Sequence, residues 1–102
     1  MKQEVINMKH CIIVKWNEKV TDKDEFYKKA VEAFSGVENI EGVFGYRVYK
    51  SNSNRANRFD IMIEIDCTEE GLNNYDGCKL HADWKDNFTE YFQSKTIFDY
   101  DR

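Results

Sequence analysis

Between Arg58 and Asp66 the side chains alternate with a period of two: Phe59, Ile61, Ile63 and Ile65 fall on one side, and Asp60, Met62 and Glu64 on the other. Only extended backbone sends successive side chains to opposite faces, so the run predicts a strand with one apolar and one partly wet face. Such a strand belongs in an antiparallel sheet that is covered on one side. The rest of the chain must supply the other strands and the cover.

The β-branched run Lys9-His10-Cys11-Ile12-Ile13-Val14-Lys15-Trp16 predicts a first strand over 9–16. Gly42 precedes a second strand over 43–50, in which Gly45 signals a bulge or a close approach. A terminal strand is expected over 96–100. Thr21 followed by Asp24 reads as a capping box opening a helix to about Ser35, with Phe26, Ala30, Ala33, Phe34 and Val37 at helical spacing and Gly36 as terminator. Thr68 caps a short helix from Glu69 to about Gly77. A second helix follows from Leu80 to about Gln93, its buried stripe being Leu80, Trp84, Phe88, Tyr91 and Phe92. With the two adjacent helices taken as one unit, the order β-α-β-β-α-α-β is the ferredoxin-like arrangement, an α+β fold on a four-stranded antiparallel sheet. Strands one and two are apolar on both faces. The sheet face without helices therefore also needs cover, and a face-to-face homodimer is expected.

The chain has 102 residues, enough for one domain, read here as 8–102 behind a short N-terminal extension, 1–7. Aromatics make up 15% of it, more than a small core needs, which suggests an interface or an apolar ligand cavity. A net charge of −4 with both signs interspersed argues against nucleic acid as a partner. No apolar run approaches the length of a membrane helix, and Met1–Asn7 lacks the apolar centre of a signal peptide, so a cytoplasmic setting without membrane partners is expected. Cys11, Cys67 and Cys78 are odd in number and show no C-x-x-C spacing, as expected of reduced thiols. No phosphate loop, nucleotide fingerprint or metal-ligand spacing is present, so neither cofactor nor metal is expected.

The chain has two histidines, His10 opening strand one and His81 opening the last helix, six residues after Tyr75. Imidazole is the side chain best matched to proton transfer near neutral pH. For His81 the first turn of a helix favours the neutral, proton-accepting ring, while the alternative is a ring packed under the helix and bonded to a backbone carbonyl. For Tyr75 the choice lies between a phenol that stabilises an enolate and a half-buried aromatic between helices. His10 shares a face with Ile12, Val14 and Trp16, which suits a pocket wall that orients a ligand. Arg47 is a carboxylate anchor or a surface ion pair. Asp60 and Glu64 are expected to meet Lys or Arg across strands. Trp84 belongs to the core, reaching the cavity wall, and Cys78 reads as an inert thiol.

Several of these segments resemble the stress-responsive A/B barrel (Dabb) family of dimeric α+β barrels. They are the opening Lys9-His10 strand, the turn Ile40-Glu41-Gly42-Val43, the strand Asn57–Glu64, the Leu72-Asn73-Asn74-Tyr75…Leu80-His81-Ala82-Asp83-Trp84 helix start and the closing Ile97-Phe98-Asp99-Tyr100. The resemblance spans 8–101. It implies two four-stranded sheets closing a barrel, with a cavity between sheet and helices in each subunit. A cofactor-free plant polyketide cyclase of the family uses a Tyr and a His at the positions of Tyr75 and His81, with a His lining the site at the position of His10. Here Cys78 stands where the family's motif has its first His, Lys79 where it has Pro, and Ile61 where the cyclase has a further pocket His, so a different substrate is implied.

Two functional expectations follow. The first is a cofactor-independent acid/base enzyme of lyase, cyclase or isomerase type, acting on a small, partly apolar carbonyl compound. In it His81 and Tyr75 are catalytic, and His10, Trp84, Phe59, Ile61 and Arg47 bind substrate. The second is a non-catalytic, stress-related small-molecule-binding or structural dimer. A haem-binding or flavin-independent monooxygenase-like role ranks last, since nothing in the spacing of the histidines demands haem.

Overall fold

A computed structural model describes residues 7–102 of the protein. Apart from Asn7, the expected N-terminal extension lies outside the described residues. The elements are β1 (Met8–Trp16), α1 (Lys23–Ala33), β2 (Val43–Lys50), β3 (Ile61–Cys67), α2 (Glu69–Asp76), α3 (Lys79–Phe88) and β4 (Phe92–Asp101), with single 3-10 turns at Val37–Asn39 and Thr89–Tyr91. The strands form one antiparallel sheet in the order β2-β3-β1-β4. This is the expected ferredoxin-like α+β architecture.

Alternation decides what each face carries. Ile12 and Val14 of β1 pair with Ile63 and Ile61 of β3, and all four are buried beneath the helices with Trp16, Ile65 and Cys67. The helices answer with Ala30 and Phe34, at i and i+4 around α1, and Trp84 and Phe88, at i and i+4 along α3. Burying each large apolar side chain contributes about 1.5–3 kcal/mol, and this cluster holds the helices on the sheet.

On the opposite face, Cys11 of β1 stands beside Phe98 of β4, and Ile13 beside Met62 of β3. No helix covers this face, and Phe98 is 60% exposed, with Tyr49 and Tyr100 also open. Lys9 reaches Glu64 and Asp66 across the strands at 3.7 Å, as expected of Glu64. Asp60 behaves differently: it is buried, accepts the Trp16 backbone N–H at 2.8 Å and meets Lys23 of α1 at 2.9 Å.

The bulge expected near Gly45 is present. Val43 pairs with Cys67 and Gly45 with Asp66, leaving Phe44 as the extra, exposed residue. Just before it, Gly42 has φ +87°, and a Cβ added at Gly71 would lie 2.1 Å from the Gly42 carbonyl oxygen. The start of α2 therefore rests directly on the turn into β2, backbone on backbone.

Four boundaries differ from expectation. Helix α1 is capped by Asp22, whose carboxylate accepts the Glu25 N–H at 3.1 Å, rather than by a Thr21–Asp24 box. Strand β3 begins at Ile61 instead of Arg58, because Arg58 closes a turn onto the Arg55 carbonyl at 3.1 Å. Helix α3 stops at Phe88 and not near Gln93. Accordingly β4 starts at Phe92 rather than Thr96, and Phe92 pairs with Trp16 across a register shift.

Candidate functional site

The register of β1 against β4 sets His10 beside Asp99, and the His10 Nδ1 lies 2.5 Å from the Asp99 carboxylate. A carboxylate at neutral pH only accepts, so Nδ1 carries the hydrogen and Nε2 is left for another partner. Sequence reasoning missed Asp99. Its place beside His10 is readable only once the β1–β4 register is known.

Helix α2 starts at the Thr68 cap, whose hydroxyl accepts the Gly71 N–H at 3.0 Å. One helical turn beyond Gly71, Tyr75 points into the protein and is 1% exposed. Helix α3 follows after Gly77 and Cys78. Cys78 caps it through sulfur, accepting the His81 backbone N–H at 3.4 Å. That cap sets His81 in the first turn. The His81 Nδ1 donates to the Asp76 backbone carbonyl at 2.9 Å, since a carbonyl can only accept. In the neutral ring Nε2 is then the proton acceptor.

The three candidate rings stand in a row. The Tyr75 centroid is 4.7 Å from His81 and 5.9 Å from His10. The Tyr75 hydroxyl is buried and has no hydrogen-bond partner among the described residues. Burial, with a smaller push from Cys78 and Asp76, moves its phenol far above the ordinary 10.0, so it remains a donor throughout the neutral range. Leaving such a donor unpaired costs about 1–3 kcal/mol. Behind the row, Phe34 stacks on Tyr75 at 6.3 Å and Trp84 meets Phe34 edge-on at 4.9 Å.

The remaining sequence candidates scatter. Trp84 is core, one ring removed from Tyr75. Ile61 is buried at the far end of the sheet, opposite Val14 and Lys50. Phe59, expected on the face of Ile61, precedes β3 and instead lines a shallow groove with Ile13, Tyr49 and Met62. It is no part of the row. Arg47 also falls outside it, in a charged cleft with Lys9, Glu64, Asp66 and Arg102 on the face without helices. No group of three or more metal-ligating side chains occurs among the described residues, and none of their helices is long and apolar enough to cross a membrane.

Chains of known structure share the fold. A dimeric ferredoxin-like protein of unknown function from Thermobifida fusca superposes with a TM-score of 0.78 at 17% identity, over 98% of this chain and 94% of that one. A Dabb family protein with a ferredoxin-like fold from Mesorhizobium loti gives a TM-score of 0.71 at 12% identity, covering 93% and 95% of the two chains. The fold is of the Dabb type. The hydroxynitrile lyase of Passiflora edulis also shares it, with a TM-score of 0.74 at 11% identity over 94% and 93%. No family model and no curated protein matches the sequence.

The buried groups set an alkaline limit. Burial, then Asp66, pushes the Cys67 thiol from 9.0 up to about 11, and Tyr75 moves in the same direction. Both hold their protons more tightly folded than unfolded. The stability they contribute is therefore complete below the unfolded values and is lost as pH rises from about 9 through the folded values. Urea midpoints are expected to fall between about pH 8 and pH 10.5; a midpoint that holds or rises would contradict the burial of these groups.

Proposed function

We propose that the protein is a cofactor-independent acid/base enzyme, of lyase, cyclase or isomerase type, acting on a small, partly apolar carbonyl compound. The observation that carries this reading is the unpartnered Tyr75 hydroxyl in a row with two imidazoles, each held through Nδ1. In the proposed step, His81 Nε2 takes a proton from the carbon next to the carbonyl. The C–H electron pair moves into the enolate, and the Tyr75 O–H holds the developing oxyanion. His10, oriented by Asp99, positions the substrate. The lyase from Passiflora edulis lends the lyase class some support, as a catalyst on the same scaffold.

A direct test is deuterium exchange at the α-carbon of small alkyl and aryl ketones in D2O, followed by proton NMR. The wild type is expected to exchange at least one of them, with His81→Gln and Tyr75→Phe slower by about a hundredfold, the usual scale for a lost base or oxyanion donor. Background exchange across the panel, or variants equal to the wild type, would overturn the reading.

One observation favours the non-catalytic alternative. Phe34, backed by Trp84, occupies the space beside the Tyr75 ring. Under that reading the same row binds a small oxygenated molecule without turning it over.

For either activity we propose a homodimer formed through the sheet face that the helices leave bare. Exposed Phe98, Tyr49 and Tyr100 on that face supply the apolar area, and the dimeric protein of the same fold from Thermobifida fusca supports it. We further propose a cytoplasmic setting, a reading the free thiols support.

A further inference from the structure

The helices leave β4 open. Beyond Phe92, every residue from Gln93 to Asp101 is exposed, whereas no residue of β1 or β3 is. The other edge strand, β2, is tied to α1 on its helix side: the Tyr27 hydroxyl donates to the Val48 carbonyl and the Tyr46 hydroxyl to the Val31 carbonyl, both at 3.2 Å. The order β2-β3-β1-β4 gives β4 only β1 as a neighbour, so its outer edge has no partner strand. Register fixes what its two faces carry. Phe98 stands opposite Cys11 on the bare side, and Ile97 opposite Ile12 on the helix side. Ile12 lies under the helices at 3% exposure, yet Ile97 beside it is 45% exposed. The helix layer therefore stops at β1. A ten-residue edge strand with a large apolar side chain on either face is a template for another chain.

The candidate site stands at this rim. Asp99, two residues from Ile97 and on the same face, holds His10, but its side chain is 41% exposed against 9% for His10. Water competes for the carboxylate there. An apolar cover would lower the local dielectric and strengthen the bond to the imidazole.

We propose that a second copy of the chain wraps around the free edge of β4, covering Ile97 and Asp99 on the helix side as well as Phe98 on the bare side. The partner thereby supplies the outer wall of the site at His10 and Asp99, which a lone protomer lacks. The inference rests on the homodimer proposed above. Phe98 belongs to that interface, and Ile97 is its neighbour in the chain, so the apolar surface continues around the open edge and one partner covers both.

The test dilutes the wild-type chain through its dimer dissociation, followed by analytical ultracentrifugation and by hydroxyl-radical footprinting read with tandem mass spectrometry. On association Ile97 is expected to lose labelling together with Phe98. Ile97→Asp is expected to raise the dimer Kd at least about tenfold, since it buries an unpaired carboxylate on both sides of a two-fold contact. Ile97→Thr keeps the β-branched shape and is expected to raise it less, in the same direction; it decides the matter if the aspartate variant does not fold. A dimer in which Phe98 is protected and Ile97 is not, or a Kd unchanged by the Ile97 substitutions, overturns the inference, leaves that face to another partner and lets the bare-face homodimer stand. A wild type that stays monomeric at every concentration overturns the homodimer and the inference with it.

Discussion

Trp84→Ala is expected to destabilise the protein by about 3–5 kcal/mol, the range for truncating a large aromatic in a closed core. Trp84 is 2% exposed and touches three other rings: Phe88 at 4.5 Å, Phe34 at 4.9 Å and Phe92 at 5.6 Å. Those rings come from α1, α3 and β4, so alanine leaves a void that no single element can close by sliding. Urea denaturation followed by circular dichroism measures the effect. Leu80→Ala, at a partly buried position on the same helix, is the control and is expected to cost less. A Trp84→Ala loss below about 1 kcal/mol would show that Trp84 does not hold helices to sheet, and the core described above would be wrong.

Phe98→Glu is expected to abolish self-association at micromolar concentration. Phe98 lies on the sheet face without helices, 6.1 Å from Tyr100 and opposite Cys11 of β1. A carboxylate there would have to be buried without a partner on both sides of a symmetric interface, since a two-fold contact repeats every change. An aromatic anchor is worth about 2 kcal/mol or more, so the dimer Kd is expected to rise at least about thirtyfold. Light scattering coupled to size exclusion distinguishes the outcomes. A wild type that is already monomeric at tens of micromolar, or a variant that still dimerises, would remove this face as the interface.

The sequence made most of the fold legible where side-chain period and backbone agree. Strand β2 occupies the expected 43–50, because Gly42 and the following β-branched and aromatic residues act together. Where two periods compete, the reading failed. Phe88, Tyr91 and Phe92 fit a helical stripe, yet α3 ends at Phe88, followed by a single 3-10 turn. No Gly or Pro marks that stop. Asp22 outcompeted Thr21 as the α1 cap, a one-residue choice between two good acceptors. Residue types singled out His10, Tyr75 and His81, and the resemblance to the Dabb family grouped them; the structure sets the Tyr75 ring beside both imidazoles. Asp99 was not readable, since only a pairing across 89 residues brings it to His10. Phe59 was misplaced for the converse reason: alternation continued on paper through a turn that the backbone makes at Arg58.

The contact between Gly42 and Gly71 has a consequence for how this sequence can drift. Tyr75 lies one helical turn from that contact, where backbone rests on backbone. Any side chain at Gly71 would push the start of α2, and the phenol with it, off the turn into β2. Among diverging copies of this chain, the two glycines are the positions whose loss should track loss of the ring row, even where both histidines and the tyrosine survive.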